Sequence, residues 1–296
     1  MPKRSLMLAG GGLKIAFQAG VLQVWLDEMG LEFDHADGVS AATFNLAMWA
    51  QGMSGTQIAE HWRNFKPIAA VGLNWRQLPR LFYAESLFTL NAFRKKFFPQ
   101  WGLDWKKIRA GGREATLNVY NFSKHSLRPV TPPEMSEDFL IATASLPVWF
   151  PPVRIGGDTY IDAVFNTASN LEEAIRRGAD ELWVIWTTSS RGQWLDGFVG
   201  NFFGIFEAAT NGGYGQVLAR IENNNAAIAA GALGEFGRRI IVRELRSEVD
   251  LHYLFNFRQR RFAQAVDLGV KAARAWCDEN YEALPQIDPK RRETWA

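Results

Sequence analysis

The sequence is poor in the residues from which metal clusters and disulfide frameworks are built. Its 296 residues include a single cysteine, Cys277, which excludes an intramolecular disulfide framework and any cysteine-based zinc cluster. Beside Trp276 in a helix-like stretch, Cys277 reads as a structural thiol in a reducing compartment. The four histidines, His35, His61, His125 and His252, stand in no recognisable catalytic loop. They read as surface or internally satisfied side chains. No run of about 18 uninterrupted apolar residues occurs, so no membrane-spanning helix is expected. Long blocks of one charge are also missing. With 33 basic and 31 acidic side chains the net charge is +2, and 47% of residues are hydrophobic. That balance excludes disorder as the main state and argues against a dedicated nucleic-acid binder. The start, Met1 to Ala9, is basic and then apolar, but the apolar run is too short for a signal peptide and ends in three glycines. It reads as a first strand, and the default expectation is a cytoplasmic protein.

What is present alternates strands with helices. Ser5 to Ala9 fits a buried strand, and Ile15 to Met29 has helical periodicity with Val21, Leu22, Trp25 and Leu26 on one stripe. Thr116 to Phe122 and Glu181 to Thr187 read as strands, as does Arg239 to Leu245. Helices are expected from Ser54 to Phe65, Leu171 to Arg177, over most of Trp194 to Leu233, and from Gln259 to Ala283. This alternation predicts a mostly parallel α/β sheet in one domain spanning residues 1–296. Residues 66–112 form an elaboration that mixes aromatic with basic side chains, and the last third is rich in helix. Two readings of the elaboration stand: helices packed over the sheet, or a lid or interfacial surface for anionic lipid. The apolar run from Gly197 to Phe206 likewise suits a buried helix, an acyl pocket or a bilayer contact. Basic clusters Arg94-Lys95-Lys96, Arg258-Gln259-Arg260-Arg261 and Lys290-Arg291-Arg292 suit a solvated surface or anionic headgroups.

Three places carry chemistry. Gly10-Gly11-Gly12-Leu13-Lys14 lies between a strand and a helix, where converging backbone N–H groups bind phosphate or a developing oxyanion. The phosphate reading fails two tests. No Walker lysine-serine or lysine-threonine pair follows, and a dinucleotide fingerprint from Gly10 would need glycine or alanine where Ile15 stands. Gly38-Val39-Ser40-Ala41-Ala42 has the small residues that a nucleophile elbow demands, since the serine must sit on a sharp strand-to-helix turn. Asp162 ends a Tyr160-Ile161 strand, a position suited to general-base work.

In this order, these segments resemble the patatin-like phospholipases. The match runs from Gly10-Gly11-Gly12-Leu13-Lys14 and Gly20-Val21-Leu22 through Gly38-Val39-Ser40-Ala41-Ala42. It continues along Ala144-Ser145-Leu146-Pro147-Val148-Trp149-Phe150-Pro151-Pro152-Val153 and ends in Tyr160-Ile161-Asp162, covering roughly residues 5 to 187. The resemblance implies a three-layer α/β/α sandwich and a serine lipid acyl hydrolase with a Ser–Asp dyad. It makes Ser40 the nucleophile and Asp162 the base. The amides of Gly10, Gly11, Gly12 and Leu13 become the oxyanion hole, and Lys14 the basic, substrate-binding position after the loop. The implied partner is a lipid or acyl-ester substrate, with peripheral membrane contact and without nucleic acid, metal or cofactor. Ile15, Ala42 and Ala163 replace glycines usual in the family. These departures motivate the alternative of a catalytically silent lipid- or protein-binding module on the same fold.

Overall fold

The computed structural model describes residues 2–284; the expected basic cluster Lys290-Arg291-Arg292 lies outside them. β1 (Arg4–Leu8) is buried beyond its first residue and feeds the glycine loop, after which α1 (Ile15–Leu22) continues through a wider turn, Gln23–Glu28. The expected stripe faces the core, with Val21, Leu22 and Trp25 buried and Leu26 packed against it, but α1 itself is enclosed on every side and only its extension keeps a half-exposed face. A later helix crosses it so closely that a Cβ on Gly20 would lie 2.0 Å from the Val266 carbonyl. β2 (His35–Val39) leads into α2 (Thr43–Ala50). α3 (Gly55–Arg63) starts where Ser54 and Gln57 cap one another reciprocally, which satisfies amide groups at both places.

The elaborated middle holds the two-residue strands β3 (Gly72–Leu73) and β4 (Phe88–Thr89), which pair antiparallel, and short helices α4 (Phe98–Gln100) and α5 (Trp105–Ala110). It divides in two. Phe93, Phe97 and Trp101 are buried against Phe65, whereas Trp75, Phe82 and Tyr83 are exposed. β5 (Glu114–Asn121) and β6 (Ser126–Val130) form a hairpin, followed by α6 (Glu137–Thr143). A second hairpin, β7 (Val153–Ile155) with β8 (Asp158–Asp162), precedes α7 (Leu171–Arg176) and β9 (Glu181–Trp186). The long α8 (Gly197–Ala229), β10 (Ile241–Arg246) and α9 (Gln259–Glu279) complete the described chain.

The main sheet runs β10-β9-β1-β2-β5-β8-β7, with β6 beside β5. Ladders from β10 to β5 are parallel, and those of β6, β7 and β8 are antiparallel. Side chains alternate across a strand, so Trp183 and Trp186 of β9 face opposite ways. Trp183 meets Trp25 and Trp276 from α1's extension and α9, while Trp186 stacks on Tyr214 of α8 at 4.0 Å between ring centroids. Helices therefore cover both faces of a mostly parallel sheet, in the three layers expected. Cys277 is buried on α9, and burial pushes its thiol up to about 12. Among the described residues no helix is long and apolar enough to cross a membrane.

Candidate active site

β2 ends in extended geometry at Val39, and the chain then turns through Ser40–Ala42 into α2. The sharpness of the turn falls on one residue, because Ser40 has φ +57°, a region costly for any side chain. α2 folds back so tightly that a Cβ on Gly38 would come 3.1 Å from Leu46. Ile15 and Ala42 both have φ −61°, and Ala163 has no positive φ either. At these three positions the backbone does not require glycine, so each methyl or larger side chain sits without conformational strain.

Asp162 arrives from the opposite direction. β8 runs antiparallel to β5, and its last residue pairs with Val119, one step from the Asn118 that pairs with Val39. The carboxylate is thereby set level with the end of β2. Ser40 donates to Asp162 Oδ2 at 2.6 Å, and the Val164 amide donates to Oδ1 at 2.9 Å. Asp162 is buried, and loss of solvation raises its pKa to about 7 against the lowering effect of those two hydrogen bonds. A hydroxyl held against a buried carboxylate of that basicity can be deprotonated as it attacks a carbonyl.

The pair opens onto a narrow apolar cavity of about 50 Å³, walled in part by Phe44, Phe93, Leu146, Phe203 and Phe206. This space admits a few water molecules and not an extended acyl chain. Two of those walls come from the apolar run expected to be a buried helix, a pocket or a bilayer contact. Phe203 and Phe206 face the cavity, whereas Phe198 and Ile205 of the same helix are exposed.

The glycine loop divides its amides. Gly10 donates to the Ala168 carbonyl at 2.8 Å and Leu13 to the Tyr253 carbonyl at 2.8 Å. Two of the four donors expected for an oxyanion are therefore committed elsewhere. The amides of Gly11 and Gly12 have no acceptor among the described residues, and Gly12 lines the cavity. Gly12 has φ +54°, and a Cβ there would lie 2.3 Å from the Tyr253 carbonyl, so no other residue fits without rearrangement. Lys14 does not line this cavity. It is buried beside a more polar cleft, its ammonium 4.2 Å from the Tyr253 ring centroid. Burial lowers its pKa, opposed by Glu207 and Glu248.

Beneath the elbow lies a polar network absent from the sequence reading. Asn118 donates to both oxygens of Asp37 at 2.8 Å and to the Gly38 carbonyl at 3.0 Å. Thr116 also donates to Asp37, and Asn170 donates to Asn118. Asp37 is fully buried, and desolvation raises its pKa to about 7. His35 contacts Ser5 and Thr116 through its two ring nitrogens at 2.7 and 3.1 Å, and burial depresses its pKa to about 3. It is an internally satisfied histidine, as expected, and it belongs to the support of β2. The signal that could have found it is the alternation of Thr116 and Asn118 with apolar Ala115, Leu117 and Val119, which places the two polar side chains on one face of a strand buried on both. None of the four histidines lines the Ser40 cavity. Among the described residues no group of three or more His, Cys, Asp or Glu side chains converges as a metal site.

No curated protein sequence matches the chain. Among solved structures it is similar to VipD from Legionella pneumophila, with TM-score 0.47 and 14% identity over 94% of this chain and 67% of that one. The family model described as patatin-like phospholipase matches residues 6–175, a span that contains the glycine loop, the Ser40 elbow and Asp162 and exceeds half of the sequence. The chain accordingly belongs to the patatin-like phospholipase family, whose members are lipid acyl hydrolases.

Proposed function

We propose that the protein hydrolyses carboxylic esters of lipids through an acyl intermediate on Ser40, with Asp162 as its base. The observation that carries this reading is the 2.6 Å hydrogen bond from Ser40 to a buried carboxylate at the edge of an apolar cavity. Asp162 takes the Ser40 proton as Oγ attacks the ester carbonyl. The tetrahedral oxyanion is received by the uncommitted amides of Gly12 and Gly11, with the positive end of the following helix behind them. Asp162 returns the proton to the departing alcohol. Water then attacks the acyl-serine and gives a proton to Asp162, which passes it to Ser40 Oγ as the acyl–oxygen bond breaks, releasing the carboxylic acid and restoring the Ser40 hydroxyl. The acyl group occupies the apolar cavity once its walls part, and the substrate is drawn from a lipid surface that the protein meets peripherally. Lys14 has no part in the acyl pocket in this reading.

The competing reading, a silent binding module, was motivated by Ile15, Ala42 and Ala163. Their ordinary backbone angles remove the reason to expect a displaced Ser40. Fluorophosphonate labelling of the wild type, beside Ser40→Ala and Asp162→Asn, tests the choice. Labelling of the wild type lost in Ser40→Ala, with ester turnover lost in both variants, is expected. A wild type that neither labels nor turns over esters would leave binding as the function.

A further inference from the structure

The exposed half of the middle segment is an unusual surface. Between Lys66 and Glu85 the chain holds one carboxylate, the exposed Glu85, against three cations, Lys66, Arg76 and Arg80. All three are exposed. Among them stand bulky apolar side chains turned to solvent: Phe82 is fully exposed, Leu81 and Tyr83 are 76% and 84% exposed, and Ile68 and Trp75 exceed 70%. Single apolar residues on a surface need no explanation, but a contiguous group with cations interleaved marks a contact.

The segment is anchored at its base. β3 and β4 pair there, Asn74 donates to Ser86, and the Leu87 and Phe88 amides donate to the carbonyls of Val148 and Trp149. Val71 and Leu90, at the two ends of the hairpin, line the Ser40 cavity. The exposed tip is thus joined directly to the wall of the cavity that holds the dyad.

We infer that residues 66–83 are a docking element for an anionic lipid bilayer, with Leu81, Phe82 and Tyr83 entering the interface and Lys66, Arg76 and Arg80 meeting the headgroups. Charge complementarity selects this occupant. With three cations against the single carboxylate of Glu85 the tip is net positive, which disfavours a second copy of itself, and an anionic bilayer offers both an apolar phase and a balancing counter-charge. The inference deepens the lipid-hydrolase reading and rests on it for its purpose, though not for its physics.

Flotation of the full-length protein with phosphatidylcholine vesicles and with mixed phosphatidylcholine–phosphatidylserine vesicles tests it. The wild type is expected to prefer the mixed vesicles, with binding that falls as salt is added. The combined variant Leu81→Ser, Phe82→Ser, Tyr83→Ser is expected to lose at least about tenfold in partitioning to both. The pair Arg76→Gln, Arg80→Gln is expected to lose the preference for phosphatidylserine. Both variants should hydrolyse a soluble short-chain ester within about twofold of the wild-type rate, which shows that the fold and dyad are intact. A wild type that binds neither vesicle, a tip variant that binds as the wild type does, or a solution dimer dissociated by the tip variant with vesicle binding unchanged would each overturn the inference. Intact, tip-dependent vesicle binding without any ester turnover would sink the hydrolase reading and leave the docking element standing.

Discussion

Asp162 spends its two oxygens differently: Oδ2 accepts the hydroxyl of Ser40 at 2.6 Å, and Oδ1 accepts the amide of Val164 at 2.9 Å. The second bond fixes the carboxylate plane and leaves the first oxygen directed at the serine. No imidazole stands between the two residues, so the basicity of the pair is that of a desolvated carboxylate. A group of this kind titrates where an imidazole would.

The pH dependence of turnover follows. With the Asp162 pKa raised to about 7 by burial, the active form is the deprotonated one. For a soluble short-chain ester, kcat/KM is expected to rise about tenfold per pH unit below that value and to level off above it. A rate that is flat from pH 5 to 8 would remove Asp162 from the role of base. Ser40→Ala and Asp162→Asn should each lower kcat/KM by roughly a thousandfold or more.

The same burial makes Asp162 a stability liability. Its folded pKa lies above the unfolded value, so between about pH 4 and 7 the native state holds a proton that the unfolded chain has released. Stability is present at the acid end of that window and is lost as pH rises through 7. Asp162→Asn cannot ionise and escapes this loss. Thermal melts at pH 8 should place the variant at least about 3 °C above the wild type, with the gap shrinking toward pH 5. A variant less stable than the wild type at pH 8 would show the carboxylate to be better compensated than its surroundings indicate.

The Asn118 network tests how much the elbow depends on its support. Replacing Asn118 by leucine strips two hydrogen bonds from the buried Asp37 and one from the Gly38 carbonyl. The expected cost is about 2–4 kcal/mol in urea denaturation. Turnover should fall about tenfold or more in the fraction that remains folded, because Ser40 follows Gly38 by two residues.

The glycine positions yield opposite expectations. Gly12→Ala adds a side chain at φ +54° against the Tyr253 carbonyl and disturbs the amide proposed to face the oxyanion. A loss of about a hundredfold in kcat is expected. Ala42→Gly and Ile15→Gly restore glycines usual in the family, yet neither position needs one. Each should leave kcat/KM no higher than in the wild type, and Ala42→Gly should cost about 0.5–1 kcal/mol in stability. A large gain in activity from either would mean that the side chains obstruct the site.

Much of the frame was legible beforehand for a physical reason. Buried parallel strands read as continuous apolar runs, which is how Ser5 to Ala9 and Glu181 to Thr187 stand out. The Ser54 cap and the turn before Tyr160 also lie within a few residues of what they shape. What stayed hidden involves partners far apart in sequence. The amides of Gly10 and Leu13 are committed to Ala168 and Tyr253, and nothing near the loop announces it. The partners of His35 and Asp37 depend on which strands are neighbours, which periodicity does not specify. α1 carries polar Gln18, so it reads as a half-buried helix, yet that side chain is spent internally on the Ala9 carbonyl.

Ser40 and Asp162 fall inside the span that defines the family, while Phe203, Phe206, Tyr253 and Leu254 close the cavity from beyond residue 175. The cavity is thus a shared product of two stretches of the chain, since Phe44, Phe93 and Leu146 wall it from within that span. Under the proposed ester hydrolysis, substitutions in the last third reshape part of the cavity while Ser40, Asp162 and the remaining walls stay as they are. Two members of such a family can share every reacting atom and still divide the available lipids between them.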